Sequence, residues 1–131
     1  MEIFLSIIGI LVVVFYLWYA GIIKKRNTGY EALSGIDVQL KKRSNLIPNI
    51  LKIAQKFLQH EKSLLTEITD LREKTDKGYD KTDKNSVQEH LQVSELLAGK
   101  MGQLMVRVED YPDLKSDQTM VQAMQTYNEV E

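Results

Sequence analysis

The sequence has no cysteine, and among its 131 residues only two prolines, seven glycines and two histidines. Each shortage removes a class of protein. Without cysteine there is no disulfide scaffold, no thiolate zinc site, no thiol nucleophile and no lipoprotein attachment point. So few prolines and glycines do not supply the tight turns of an all-β fold. An excess of one charge is also missing: 17 Lys/Arg stand against 18 Asp/Glu. That balance gives no electrostatic reason to expect a nucleic-acid partner.

Metal and phosphate motifs are lacking as well. His60-Glu61-Lys62-Ser63-Leu64 has no second histidine to complete a zincin helix, and His90 has none at helical spacing. Both read as exposed helix residues. There is no GxGxxG or Walker sequence, and Gly99-Lys100 is an isolated pair. Asp76, Asp80 and Asp83 share one stretch without the twelve-residue spacing and closing glutamate of a calcium loop. The chain is therefore expected to be a non-enzyme with no catalytic residue, no cofactor and no metal.

What is present is unevenly distributed. The first 23 residues carry one charged side chain, Glu2, and every lysine and arginine lies after them. Ile3 to Ile23 is a run of 21 residues, IFLSIIGILVVVFYLWYAGII. As a helix it reaches roughly 32 Å, the thickness of a hydrocarbon core of about 30 Å. Fourteen of the 21 are Leu, Ile, Val or Phe, worth about −4 to −8 kcal/mol on an insertion scale. Ile3, Phe4, Leu11, Val13, Trp18 and Ile23 are the anchor residues singled out. Tyr16, Trp18 and Tyr19 gather near one end, as an interfacial aromatic belt does. A cleaved signal peptide fits less well, because the basic residues follow the apolar run and no small-x-small site closes it. The run is apolar on every face, which also argues against a core helix.

Lys24, Lys25 and Arg26 determine the expected topology. They flank the run on its C-terminal side, and the other flank has only the α-amine. The positive-inside rule then places Met1 outside and the rest in the cytoplasm, in a single-pass signal-anchor arrangement in the inner membrane. Residues 1–26 read as anchor and basic flank, and 27–131 as a helical domain.

That domain has helical periodicity. Leu33, Ile36, Leu40, Arg43, Ile47, Ile50, Ala54, Phe57, Glu61, Leu64, Ile68 and Leu71 follow one another at alternating spacings of three and four. Such a heptad-like, coiled-coil-type seam marks helices packed lengthwise. Leu46, Leu51, Leu58 and Leu65 widen it toward a bundle core. Pro48 interrupts the pattern, since inside a helix it loses a hydrogen bond and clashes with the Ser44 carbonyl. Either a strong kink or a break near 44–46 is expected; a break gives helices at about 28–44 and 46–76. Asp37 and Lys41 are spaced to pair along one helix, and Lys41-Lys42-Arg43 reads as a solvated face.

Residues 75–85 read as a mobile loop. A third helix is expected at about 86–111, with a seam of Val87, Leu91, Ser94, Ala98, Met101, Met105 and Val108, flanked by Leu97, Leu104 and Tyr111. Ala98, Gly99 and Gly102 would permit close backbone approach. Tyr111-Pro112 stops it. Ser116 then caps a fourth helix, striped by Met120, Val121, Met124, Tyr127 and Val130. At about 15 residues this helix is too short to cover a partner of about 30, so it is expected to be incomplete. The fold class is all-α: a transmembrane helix followed by an antiparallel four-helix bundle.

IDVQLKKRSNLIPNI at 36–50, His60-Glu61-Lys62, and YPDLKSD at 111–117 resemble the LemA family of bacterial membrane proteins. The resemblance spans nearly the whole chain. It implies an N-terminal single-pass helix, a cytoplasmic antiparallel four-helix bundle, and a last helix that continues beyond Glu131. It implies no reaction, cofactor or catalytic residue. Its matched residues imply structural roles: Ile36, Leu40, Leu46, Ile47 and Ile50 in the core, Pro48 shaping the helix, and Tyr111 and Pro112 in the inter-helix turn.

Three functional readings follow. The first is a membrane-anchored scaffold or protein-interaction module, touching lipid through its N-terminal helix. The second is a ligand-binding or cryptic enzymatic bundle with a polar inter-helix site, where Arg43 and Glu61 on the apolar seam are the candidates. The third is a self-assembling membrane-associated structural protein.

Overall fold

A computed structural model describes residues 1–130. They form five helices: α1 (Glu2–Ala54), α2 (Lys62–Asp76), α3 (Lys84–Glu109), the short α4 (Pro112–Lys115) and α5 (Gln118–Glu129). Among the described residues there is no strand, so the fold is all-α. The chain divides into two compact units, Met1–Ile36 and Asp37–Glu131.

The first 23 residues of the first unit are almost wholly apolar, and all are exposed. Its large hydrophobic side chains, among them Phe4, Leu11, Val13, Phe15 and Trp18, lie on the surface. This helix is long and apolar enough to cross a membrane.

The second unit has one core. Ile47, Ile50, Leu51, Ile53 and Ala54 of α1 meet Leu58, Leu65 and Ile68, then Leu97, Met101, Leu104 and Val108 of α3, Leu114 of α4, and Met120, Ala123 and Tyr127 of α5. Cross-helix pairs give the directions. Lys41 meets Asp76 and Ser44 meets Arg72, so α1 and α2 run antiparallel. Glu61 meets Arg107 and Glu67 meets Lys100, so α2 and α3 do too.

Several boundaries differ from expectation, each for a local reason. There is no break at 44–46: α1 runs unbroken through Pro48 to Ala54. Proline removes the N–H that would bond the carbonyl four residues back, at Ser44. That carbonyl instead accepts from Arg72 Nε at 3.0 Å. A donor from the neighbouring helix replaces the missing one, so the buried acceptor is not orphaned. Separation comes later, at residues 55–61, without proline or glycine. There the hydrogen bonds tighten to Lys56→Ile53 and Phe57→Ala54, and Leu58 turns fully into the core.

The fourth main helix is capped differently. Pro112 opens the short α4, and Ser116 closes it. Asp117, not Ser116, is the N-cap of α5, its carboxylate accepting from Met120 N at 2.9 Å. The buried positions of α3 are Ser94, Leu97, Met101, Leu104 and Val108. The seam is rotated from the expected one: Ala98 is exposed, and a Cβ at Gly99 or Gly102 would meet open space, so neither glycine serves a close approach. In α5 the inward residues are Met120, Ala123 and Tyr127, while Val121 faces out. The expectation that the last helix is incomplete concerns residues outside those described.

Candidate functional site

The densest polar cluster of the second unit forms where the α2–α3 connection folds back on α1. Its geometry begins at Gly78, the one residue with positive φ among those described, +75°. Glycine takes this left-handed conformation without a Cβ penalty and commonly follows a helix end. The turn brings Tyr79 onto α1, where its hydroxyl donates to Asp37 Oδ1 at 2.8 Å. Lys81 reaches Asp37 Oδ2 at 2.7 Å. The Tyr79 ring stacks on His90 of α3, with centroids 4.1 Å apart and planes 18° from parallel.

Beside it lies a second carboxylate. Asp76 Oδ1 accepts from Lys41 Nζ and from Ser44 Oγ, both at 3.0 Å, and Oδ2 pairs with Arg72 at 3.3 Å. Asp37 and Lys41, expected to pair with each other, each reach across to another element instead. The connection between α2 and α3 is thereby held down. Asp80 Oδ1 accepts from the Thr82 amide and hydroxyl at 2.8 and 2.6 Å. Asp83 caps α3 through the amides of Asn85 and Ser86. The acids of the stretch thus serve a turn and a helix cap.

Asp37, Lys41, Ser44, Asp76, Tyr79 and Lys81 line a groove of about 420 Å³ with Val38 and Leu40. Burial alone would raise the Asp37 carboxyl; donation from Lys81 and Tyr79 outweighs it and holds the group below the usual carboxylate range. Asp76 behaves alike, burial opposed and overcome by Lys41 and Ser44. The Tyr79 phenol is pushed up to about 12, first by burial and then by its bond to Asp37. Both acids stay ionised, with a donor or cation on each oxygen, so neither is poised to take a proton at neutral pH. Among the described residues, no three His, Asp or Glu side chains converge in a way that could hold a metal ion.

The two candidates for an inter-helix site are not brought together. Arg43 lies over the Tyr127 ring, 5.2 Å from its centroid. Glu61 faces Arg107 at 3.6 Å. The acids that do converge, Asp37 and Asp76, are off the apolar seam, where periodicity gives no signal.

The other singled-out residues lie as follows. Ile3, Phe4, Leu11, Val13, Trp18 and Ile23 are exposed, as are Lys24, Lys25 and Arg26. Arg26 bonds the Tyr30 hydroxyl through Nη2 at 3.2 Å. Ile47 is fully buried and Leu40 half-buried, but Ile36 is 45% exposed and is not a core residue. Pro48 is exposed on α1, Tyr111 is half-buried, and Pro112 takes the first turn of α4, where its missing N–H costs nothing.

The LemA family model matches residues 32–131, more than three-quarters of the chain. No curated protein matches it. On the strength of the family match, the chain belongs to the LemA family.

Proposed function

We propose that this LemA-family protein is a non-enzymatic, single-pass membrane protein whose helical bundle is a protein-interaction module, a scaffold or adaptor. The observation that carries this reading is the surface of residues 3–23. Their large apolar side chains are exposed without a break, an arrangement water penalises at about 25 cal/mol per Å² and lipid does not. The segment meets lipid, in the inner membrane. The cations at 24–26 retain the bundle on the cytoplasmic side, with Met1 outside.

The interaction reading draws on the bundle surface. Between α3 and α5 runs an open groove lined by Met105, Met120, Val121 and Met124, and methionine suits adaptable contact surfaces. Leu96 and Val106 add exposed apolar area on α3. The paired, ionised state of Asp37 and Asp76 favours a binding role over proton-transfer chemistry.

The test is crosslinking of the full-length protein in its own membrane, with a photoreactive residue at Met124. Stoichiometric capture of a defined protein, lost on Val121→Glu, supports the module. A chain that crosslinks to nothing but lipid, and sediments as a monomer after extraction, contradicts it.

A further inference from the structure

The groove beside Asp37 and Asp76 has more chemistry than a loop clasp requires. Asp37 uses both carboxylate oxygens, one on Tyr79 and one on Lys81. Asp76 likewise uses both, on Lys41, Ser44 and Arg72. In the groove lining Lys41 and Lys81 balance the two carboxylates, and Arg72 pairs with Asp76 without lining the groove. Each of the four oxygens already meets a donor or a cation, which disfavours a metal ion or an amine as the occupant. The ammonium of Lys41 has three donors and one hydrogen bond here, to Asp76, and its side chain is 57% exposed. The capacity left at the groove is that of the exposed Lys41 donor.

Beside Lys41 on the same helix the lining is apolar. Val38, 54% exposed, and Leu40 line the same groove. At about 420 Å³ its volume falls in the range of small-molecule sites, about 300–1,000 Å³. An apolar wall with a few convergent polar groups is the usual composition of such sites.

We propose that this groove binds a small amphipathic organic anion, its acidic group against the Lys41 ammonium and its apolar body against Val38 and Leu40. The anion can be a free metabolite or the headgroup region of an acidic lipid; both offer the same acidic and apolar parts. This site is independent of the α3–α5 groove and of the interaction role.

The test uses the full-length, ¹⁵N-labelled chain in zwitterionic micelles, titrated with hexanoate. Saturable shifts of the Lys41, Gly78 and Tyr79 amides are expected, absent with inorganic phosphate at the same concentrations. Val38→Asp, at an exposed position outside the core, is expected to weaken binding at least about tenfold, or about 1.4 kcal/mol. In a second arm the micelles are doped with phosphatidylglycerol. Shifts at the same amides there, and none with hexanoate, assign the anion to a lipid. No saturable shift in either arm, an equal response to inorganic phosphate, or undiminished binding by the Val38→Asp chain overturns the proposal.

Discussion

Helix α1 contains two apolar stretches with opposite surroundings. Residues 3–23 expose their large hydrophobic side chains, whereas Ile47, Ile50, Leu51, Ile53 and Ala54 are buried. Amino-acid type does not separate them, since isoleucine and leucine dominate both. Pattern does. At 44–54 the apolar residues recur at helical spacing between Asn45, Asn49 and Lys52, so one face packs and the other stays wet. At 3–23 no face is polar, and every side chain is exposed. Periodicity alone separates the two stretches of this one helix.

The largest expected effects separate the stretches. Ile68→Ala, at a position with no exposure in the core that the buried stretch packs into, is expected to destabilise the bundle by about 2–5 kcal/mol in a denaturant titration. Leu11→Ala, in the exposed stretch, is expected to leave that transition unmoved. Conversely, Val12→Arg is expected to raise the cost of membrane insertion by about 3 kcal/mol, read as a loss from the membrane fraction, with the bundle still folded. If either substitution acts on both properties, the distinction fails.

A fourth substitution probes how α1 tolerates its proline. Arg72→Leu removes the donor that serves the Ser44 carbonyl and a partner of Asp76, for an expected loss of about 1–3 kcal/mol. In a Pro48→Ala background the helix supplies its own donor. The loss is then expected to shrink by about 1 kcal/mol in a double-mutant cycle. Equal losses in both backgrounds would show that Arg72 does not stand in for the missing N–H.

Smaller still is the acid response. The carboxyls of Asp37 and Asp76 lie below their ordinary value in the folded chain. Their contribution is therefore present above the unfolded pKa of about 3.9 and is lost as pH falls through the lower folded values. The unfolding midpoint is expected to drop below about pH 4, and Asp76→Asn to make that drop shallower. Leu96→Ser, on the exposed face of α3, is expected to change stability by less than about 0.5 kcal/mol.

Much of this was legible from residue order. The long exposed helix, the α3 start near residue 86, the stop at Tyr111-Pro112 and the burial of Ile47, Ile50, Leu65 and Ile68 follow from spacing and proline chemistry. The turn at 55–61 was not legible, because nothing local marks it: the chain leaves the helix there as Leu58 enters the core. Pro48 misled for the complementary reason, since its rescue by Arg72 comes from 24 positions away in sequence. The site was hidden similarly. Asp37, Asp76 and Tyr79 meet only once α1, α2 and the connection are assembled, whereas Arg43 and Glu61 drew notice by interrupting a seam.

The central claim is an anchor in lipid with the bundle on the cytoplasmic side, and the absence of native cysteine makes it directly testable. Single cysteines replace Glu2 in one chain and Ser116 in another, and intact cells receive a membrane-impermeant maleimide. The account predicts that Glu2→Cys is labelled at once and Ser116→Cys only after the membrane is broken. Labelling of Ser116→Cys in intact cells, or recovery of either chain in the soluble fraction, would contradict it.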